Sequence, residues 1–306
     1  MKPLSPVQQI NHPLFTKHGL TVFVKRDDLI HPVISGNKWR KLKYNLLHAK
    51  SHGYQGVLSF GGAYSNHLHA LAYAGYQQGL MTKAIVRGEP HYLANSTLSQ
   101  ARKWGMQCQF VDRKSYRLRE DKDYLFTLQK NNPDYYIVPE GGSNPHALTG
   151  VGELINELAQ QVSYDSLLVP VGSGGTMAGL IAADNNQHQL LGIAVLKQAD
   201  YLINHIKNLL PAEAKAYNNW QLLTQFHRGG YAKFSREDEQ NIYQFNQATG
   251  ITFEPVYSGK MILALLDLIA QGYFKAGSRI VLVHTGGLQG IKGLLEQNRL
   301  TANLWR

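Results

Sequence analysis

Short apolar runs rich in β-branched residues alternate along this chain with stretches of helical periodicity. The predicted strands cover residues 56–61, 83–88, 108–112, 135–141, 166–174, 190–196, 220–226 and 279–287. Helical patterns follow several of them, and those over 65–79 and 95–105 each close on a glycine, a common helix terminator. Strands with little polar alternation, separated by helices, form parallel sheets covered on both faces. The predicted fold class is therefore α/β, with open, mostly parallel sheets flanked by helices.

Composition excludes several classes of protein. The 306 residues contain no apolar run of the length that spans a membrane, and the N-terminus has prolines and polar residues where a signal peptide would be apolar, so we expect a cytoplasmic protein. The excess of 31 Lys and Arg over 21 Asp and Glu favours an anionic ligand. The basic residues are scattered, which argues against nucleic acid, and no metal-ligand motif is present, so no metal site is predicted.

Four glycine clusters mark the loops where a ligand is expected, because ligands of such sheets bind beyond the carboxyl ends of the strands. The clusters are "SGNK" at 35–38, "FGGAYSN" at 60–66, "VGSGGTMAG" at 171–179 and "HTGG" at 284–287. We expect the four loops to contribute to one site.

The cluster at 171–179 predicts an anion site. A buried strand, a tight turn and a helix start succeed one another, so backbone amides over Gly172, Ser173, Gly174, Gly175 and Thr176 can converge on a phosphate. Met177 stands where a dinucleotide fingerprint would have its third glycine, so one phosphate suits the loop better than a pyrophosphate. The alternative is that the glycines serve only a tight turn.

Lys38 opens a predicted amphipathic helix directly after a glycine turn. The positive end of the helix dipole, partial burial and the neighbours Arg40, Lys41 and Lys43 would lower its pKa and make the amine nucleophilic. Such a lysine beside a one-phosphate site is what is needed to hold pyridoxal phosphate as a Schiff base. An ordinary solvated lysine at a helix start is the alternative.

The triplet Ser65, Asn66 and His67 opens another predicted helix just after a strand. Ser65 can act as the N-cap. Its hydroxyl and the adjacent amides could also bind a substrate carboxylate, while the Asn66 amide contacts the phenolic oxygen of the cofactor. The two roles can coexist.

These motifs carry a family resemblance. "SGNKWRKL", "FGGAYSNH", "PVGSGGTMAGL", "EPVYSGK" and "HTGG" occur in the order and approximate spacing seen in the tryptophan-synthase-β-like superfamily of pyridoxal-phosphate enzymes, which have fold type II. More closely, the chain resembles the 1-aminocyclopropane-1-carboxylate deaminase and D-cysteine desulfhydrase family, and the resemblance covers nearly the whole chain.

The resemblance implies roles for these residues. Lys38 corresponds to the lysine that carries the cofactor, Asn66 to the partner of the pyridine hydroxyl and Ser65 to a ligand of the substrate carboxylate, with His67 beside it. Tyr257 corresponds to an active-site tyrosine that binds substrate and is available for proton transfer. The phosphate site corresponds to the turn at 172–176.

The resemblance also implies an architecture. A large cofactor domain is expected over 1–50 and 146–306, with a small inserted α/β domain over 51–145, usually in a homodimer. The deaminase branch typically has a glutamate after the active-site tyrosine and a leucine before the late Gly-Gly, where this chain has Ser258 and Thr285. Hydroxyl neighbours leave the pyridine nitrogen largely neutral, which favours desulfhydrase-like chemistry.

The leading hypothesis is a lyase that acts on a small amino acid, D-cysteine or a β-substituted D-alanine, by β-elimination to pyruvate and ammonia. A 1-aminocyclopropane-1-carboxylate deaminase is the first alternative. The second is a non-catalytic anion- or nucleotide-binding protein on the same scaffold. No nucleic-acid or membrane partner is expected.

Overall fold

A computed structural model describes residues 4–305 of the chain. Its strands are β1 (Val7–Ile10), β2 (Thr21–Lys25), β3 (Gly56–Gly62), β4 (Met81–Arg87), β5 (Gln107–Val111), β6 (Tyr135–Val138), β7 (Ser166–Val171), β8 (Gln189–Ala194), β9 (Trp220–Leu223) and β10 (Arg279–Val283). The α-helices are α1 (Pro13–Lys17), α2 (Asn37–Ser51), α3 (Asn66–Gln78), α4 (Ser96–Lys103), α5 (Arg113–Arg117), α6 (Lys122–Asn131), α7 (Pro145–Gln161), α8 (Gly175–Asp184), α9 (Tyr201–Leu209), α10 (Arg236–Thr249), α11 (Ser258–Ala270), α12 (Gly290–Glu296) and α13 (Ala302–Trp305).

The larger sheet has six strands in the order β1-β2-β10-β7-β8-β9. All its pairings are parallel except that of the edge strand β1 with β2. Successive residues of a strand face opposite sides of a sheet, so an unbroken apolar strand supplies two cores. On β10, Ile280 and Leu282 pack into the core on one face, whereas Val281 and Val283 pack into the core on the other.

The smaller sheet has four parallel strands in the order β5-β4-β3-β6. Its central strand β3 is buried along nearly its whole length, because Val57 packs under helices on one face and Leu58 and Phe60 pack on the other. The prediction of an α/β fold with two mostly parallel sheets flanked by helices is therefore confirmed.

The predicted strands overlap β3 to β10, but several end earlier than predicted. The run over 166–174 is a strand only to Val171, because Gly174 has a φ of +79° and lies in the turn that leads into α8. The strands β1 and β2 were not predicted; they pair antiparallel, with Val7 opposite Lys25.

The N-terminal strands lie in the same sheet as β7 to β10, and the smaller sheet uses only strands between Gly56 and Val138. The division into a large domain over 1–50 and 146–306 and a small domain over 51–145 stays a prediction. Over residues 4–305, no helix has the length and apolarity needed to cross a bilayer. The same part of the chain contains no cluster of three or more His, Cys, Asp or Glu able to hold a metal ion.

Candidate active site

One cavity of about 1090 Å³ opens where the carboxyl ends of strands from both sheets meet. All four glycine loops contribute to it, as predicted from the position of ligand sites in open α/β sheets. The predicted site residues that line this cavity are Lys38, Ser65, Asn66, His67, Gly172, Ser173, Gly174, Thr176, Tyr257 and Thr285. Gly175 and Ser258 are buried residues that do not line the cavity.

Lys38 is the second residue of α2 and reaches the cavity half-buried. Helix α2 begins after Gly36, whose φ is +67° and whose added Cβ would lie 1.8 Å from the Thr285 carbonyl oxygen. A glycine is therefore required for the start of α2 to approach the loop that follows β10. Burial lowers the pKa of Lys38 to about 8, while the Glu140 carboxylate acts in the opposite direction. The amine is thus far more available than that of a solvated lysine.

The basic neighbours of Lys38 do not cause its lowered pKa, contrary to the prediction from the sequence. Arg40 does not line the cavity and pairs with Asp27 and Glu157 in a buried network, and Lys43 pairs with Glu153 of α7. The positive charge of both side chains is balanced there, so burial alone accounts for the lowered pKa of Lys38.

The turn after β7 has the geometry of an anion site. Gly174 occupies the N-cap position of α8 with a left-handed backbone, and no side chain caps the first amides of this helix. The Asn37 side-chain amide donates to Thr176 Oγ1 at 2.9 Å, so the start of α2 is fixed against the start of α8. Uncapped N–H groups at a helix N-terminus favour a bound phosphate.

Lys41, one turn after Lys38, is a residue of this site that was not predicted as a phosphate ligand. Its side chain is 1% exposed, and Nζ donates to the Gly141 carbonyl and the Ser143 hydroxyl, both at 3.0 Å. Ser173 Oγ of the glycine turn lies 3.5 Å from the same nitrogen. Burial, followed by the charge of Lys38, holds the pKa of Lys41 well below its usual value.

The segment that begins α3 lines the opposite wall of the cavity. Ser65 is the N-cap of α3 and accepts a hydrogen bond from the Leu68 amide at 3.3 Å, which confirms the predicted cap. Asn66 approaches the late glycine loop so closely that a Cβ at Gly287 would lie 2.8 Å from its Nδ2. A side chain at position 287 would therefore displace the amide.

His67 is buried, and its Nε2 lies 2.8 Å from Ser59 Oγ on β3. Its Nδ1 is a buried polar atom without a hydrogen-bond partner in residues 4–305. Burial, and next the charges of Lys38 and Lys41, keep the pKa of His67 well below its usual value. The neutral ring therefore offers one unsatisfied nitrogen beside the cavity.

Tyr257 directly precedes α11, and its ring packs against the phosphate turn, because a Cβ at Gly172 would lie 3.0 Å from Tyr257 Cε1. Its ring meets that of Tyr231 edge to face, with centroids 5.8 Å apart. Burial, and then the proximity of Tyr231, raise the pKa of Tyr257 well above its usual value. Tyr231 was not predicted, since it stands in a segment with no recognisable motif.

Ser258 lies beneath Tyr257 in a network formed with Glu254. Ser258 Oγ accepts a hydrogen bond from the Glu254 amide at 3.0 Å and lies 3.3 Å from the Glu254 carbonyl oxygen and from Oε1. The buried Glu254 carboxylate accepts from the amides of Val256, Tyr257 and Ser258 at 2.7 to 2.9 Å. Burial raises the pKa of Glu254 to about 7, against the effect of these hydrogen bonds. The network fixes the backbone that presents Tyr257 to the cavity.

These residues fit pyridoxal phosphate. The Lys41 ammonium is buried beside the glycine turn and forms no ion pair within the described chain, so a phosphate would supply the missing negative charge. The half-buried Lys38 amine lines the same cavity and is suited to Schiff-base formation. The unpartnered Nδ1 of His67 is a further polar atom available near the cavity.

Comparison with known proteins agrees with this chemistry. A provisionally named 1-aminocyclopropane-1-carboxylate deaminase of Pyrococcus horikoshii is 31% identical over 297 residues, which cover 94% of this chain and 90% of that protein. A D-cysteine desulfhydrase of Klebsiella pneumoniae is 30% identical over 295 residues and covers 90% of this chain and 89% of its own length. The crystal structure of an ACC deaminase homologue superposes with a TM-score of 0.82 at 30% identity, over 96% of this chain and 92% of that one.

The sequence pattern of one family spans nearly all of this chain. Residues 3–286, which include Lys38, Lys41, the turn at 172–176 and Tyr257, match the family described as "Pyridoxal-phosphate dependent enzyme". The cavity, its glycine turn and its lysines thus agree with the comparisons. The chain belongs to the pyridoxal-phosphate dependent enzyme family.

Proposed function

We propose that the protein is a lyase that uses pyridoxal phosphate to eliminate the β-substituent of D-cysteine or a closely related β-substituted alanine. The aminoacrylate released is hydrolysed by water to pyruvate and ammonia. The observation that carries this proposal is the meeting, in one cavity, of the Lys38 amine with the hydroxyls of Tyr257 and Tyr231. A 1-aminocyclopropane-1-carboxylate deaminase is the second candidate, because relatives of similar identity carry both names. Family membership favours either enzyme over a non-catalytic anion-binding scaffold.

The residues divide into those that hold the cofactor and those that bind the substrate. Lys38 would hold the cofactor, the amides of the turn at 172–176 and the Lys41 ammonium would bind its phosphate, and Asn66 would contact its ring hydroxyl. Thr285, which lines the cavity, and the buried Ser258 would be the hydroxyl neighbours of the pyridine nitrogen. Ser65, with the amides of Asn66 and His67, binds the substrate carboxylate. Bound pyridoxal phosphate supplies an electron sink for the substrate α-carbon.

Lys38 and Tyr257 then share the proton transfers. An amine with a pKa of about 8 is a competent base near neutral pH, so Lys38 removes the α-proton. Tyr257 stays protonated at that pH, because its pKa is raised, and it donates a proton to the departing group. Tyr231 holds the Tyr257 ring in place through their edge-to-face contact.

The surroundings of Ser258 support the desulfhydrase over the deaminase. The Ser258 hydroxyl is engaged by Glu254, and the Glu254 carboxylate is itself occupied by three backbone amides. Ser258 has no carboxylate, and the carboxylate of Glu254 is not free, so neither residue would keep the pyridine nitrogen of the cofactor protonated. A weaker electron sink suits α-proton removal and β-elimination better than cyclopropane opening.

The proposal extends to three features expected from the family resemblance: a homodimer, a division into the two domains given above, and a cytoplasmic location. Sedimentation of the purified protein and fractionation of cells that express it would test the first and the last.

Turnover of D-cysteine, L-cysteine, D-serine and 1-aminocyclopropane-1-carboxylate, measured side by side on the purified protein, tests the function. We expect sulfide and pyruvate from D-cysteine, and little ammonia from the cyclic amino acid. The Tyr257→Phe variant should keep the cofactor's visible absorbance and lose about 100-fold or more in kcat, the range of general acid–base catalysis. Turnover confined to the cyclic substrate would establish the deaminase instead.

A further inference from the structure

Lys260 is a buried ammonium with an unusual set of partners. It is the third residue of α11, its side chain has no exposed surface, and it lies one turn after Tyr257. Its Nζ donates to three backbone carbonyls, those of Gly230 at 2.5 Å, His227 at 2.8 Å and Val195 at 3.3 Å. All three donors of the ammonium are therefore taken up by carbonyl oxygens.

In the described part of the chain, these three carbonyls are the only groups at hydrogen-bond distance that stabilise the positive charge of Lys260. The side chain takes part in no ion pair in the described part of the chain, and burial lowers its pKa to about 8. A compact cation surrounded by converging backbone carbonyls is the arrangement by which proteins bind monovalent metal ions, since the carbonyl dipoles replace the hydration shell. Lys260 occupies that kind of position with a covalently attached charge.

Two of the three carbonyls belong to a segment with a strained backbone. Arg228, Gly229, Gly230 and Ala232 have φ values of +50°, +90°, +110° and +54°. Positive φ values are costly for residues other than glycine, so this conformation must be imposed by contacts from outside the segment. Lys260 supplies such contacts, because its Nζ donates to the carbonyls of His227 and Gly230.

The same segment carries Tyr231, which meets Tyr257 in the cavity. Lys260 therefore connects one tyrosine, through the Gly230 carbonyl, with the helix that presents the other. Lys260 also donates to the carbonyl of Val195, just beyond β8, and so connects the segment of Tyr231 and helix α11 to the larger sheet.

We propose that Lys260 is a built-in substitute for a monovalent cation, a positioning residue that holds the segment 227–232 and so keeps Tyr231 against Tyr257. If the side chain is shortened, its three carbonyls surround a site for potassium or ammonium. The kinetic part of this proposal rests on the function proposed above for the tyrosine pair, whereas its structural part does not.

The experiment compares the holoenzyme with its Lys260→Ala variant in sodium, potassium, ammonium and methylammonium chloride at constant ionic strength. In sodium chloride, the variant should lose about tenfold or more in kcat, as expected when charged hydrogen bonds are withdrawn. Potassium, ammonium or methylammonium should restore most of that loss, with little change in the wild-type enzyme. Lys275→Ala, at an exposed lysine, is the control for general effects of charge and salt.

Limited trypsin digestion gives a second readout that does not depend on activity. Cleavage after Arg228 or Lys233 should be faster in Lys260→Ala than in the wild type, and potassium should slow it. Lys260→Met fills the space without a charge, so it should show fast cleavage and low kcat in every salt. If the alanine variant does not fold, Lys260→Gln replaces it and should exceed the methionine variant in kcat and in protection.

Equal kcat and equal protection of the wild type and Lys260→Met would overturn the proposal. So would a folded Lys260→Ala variant that potassium, ammonium and methylammonium all fail to protect from trypsin. If protection follows the prediction but no substrate is turned over by any form, the assigned reaction is wrong and the cation role stands.

Discussion

Replacing Lys41 with methionine tests the phosphate site that the structure adds to the sequence prediction. The ammonium is 1% exposed and lies 3.0 Å from Ser143 Oγ and 3.5 Å from Ser173 Oγ. Methionine has a similar length without the charge. Because Lys41 is a buried cation without an ion-pair partner in residues 4–305, its removal should not destabilise the protein that lacks the cofactor.

The affinity for pyridoxal phosphate should fall. A hydrogen bond between charged groups contributes about 1.5–3 kcal/mol, which corresponds to about 10- to 150-fold in Kd. The loss should be confined to the phosphate, so the Kd for pyridoxal, which has the same ring and aldehyde, should change little between wild type and variant. Both ligands can form the Schiff base with Lys38.

The assay is a titration of the cofactor-free protein with each ligand, followed by the visible absorbance of the Schiff base, together with thermal unfolding of both proteins. Two outcomes would refute the reasoning. One is an unchanged Kd for pyridoxal phosphate in Lys41→Met. The other is an equal loss for both ligands in a variant that unfolds at the wild-type temperature.

Two further predictions follow from the charges. Burial lowers the pKa of Lys38 to about 8, so its unprotonated fraction should rise with pH and level off above about pH 8. The rate at which the cofactor-free protein takes up pyridoxal phosphate should follow the same curve. A midpoint of this rate curve near the usual lysine pKa of 10.5 would contradict the prediction. Glu157 forms ion pairs with Lys25 at 2.6 Å and with Arg40 at 2.9 Å. Glu157→Ala should therefore lower the free energy of unfolding in urea by about 3–5 kcal/mol. Glu120→Ala, at an exposed pair, should lower it by less than about 1 kcal/mol. Equal costs for the two variants would show that the buried network does not carry this stability.

Much of the fold follows from local pattern. Buried parallel strands need long apolar runs, and the turns that end them need glycine, so β3, β7 and β10 and their glycine loops can be located in the sequence. The strand β1 is harder to predict, because three of its four residues are at least partly exposed and two are glutamines. Its pairing with β2 is fixed by tertiary contacts at the sheet edge rather than by its own composition.

The site shows the same division between local and tertiary signals. Lys38, Ser65 and the turn at 172–176 stand in recognisable motifs, and the structure brings them to one cavity. Lys41 reads as one of several basic residues on α2, and only its burial against Ser143, which is 102 residues away in the chain, separates it from Arg40 and Lys43. Partners so distant in sequence leave no local pattern.

Tyr231 and Lys260 were missed for a related reason. Tyr231 gains its place through a backbone with positive φ at Arg228 and Ala232, which residue type alone does not predict. Lys260 sits in an apolar helix where a lysine would ordinarily be exposed, and this conflict between residue type and burial is the one signal that could have identified it.

Reduction of the holoprotein with borohydride, followed by peptide mapping, tests the central claim most directly, because it fixes the cofactor to the lysine that holds it. We predict that the pyridoxyl group is found on Lys38, and that Lys38→Ala loses both the label and the visible absorbance. A label on Lys41 or Lys260, or a protein without any label after exposure to pyridoxal phosphate, would contradict the account.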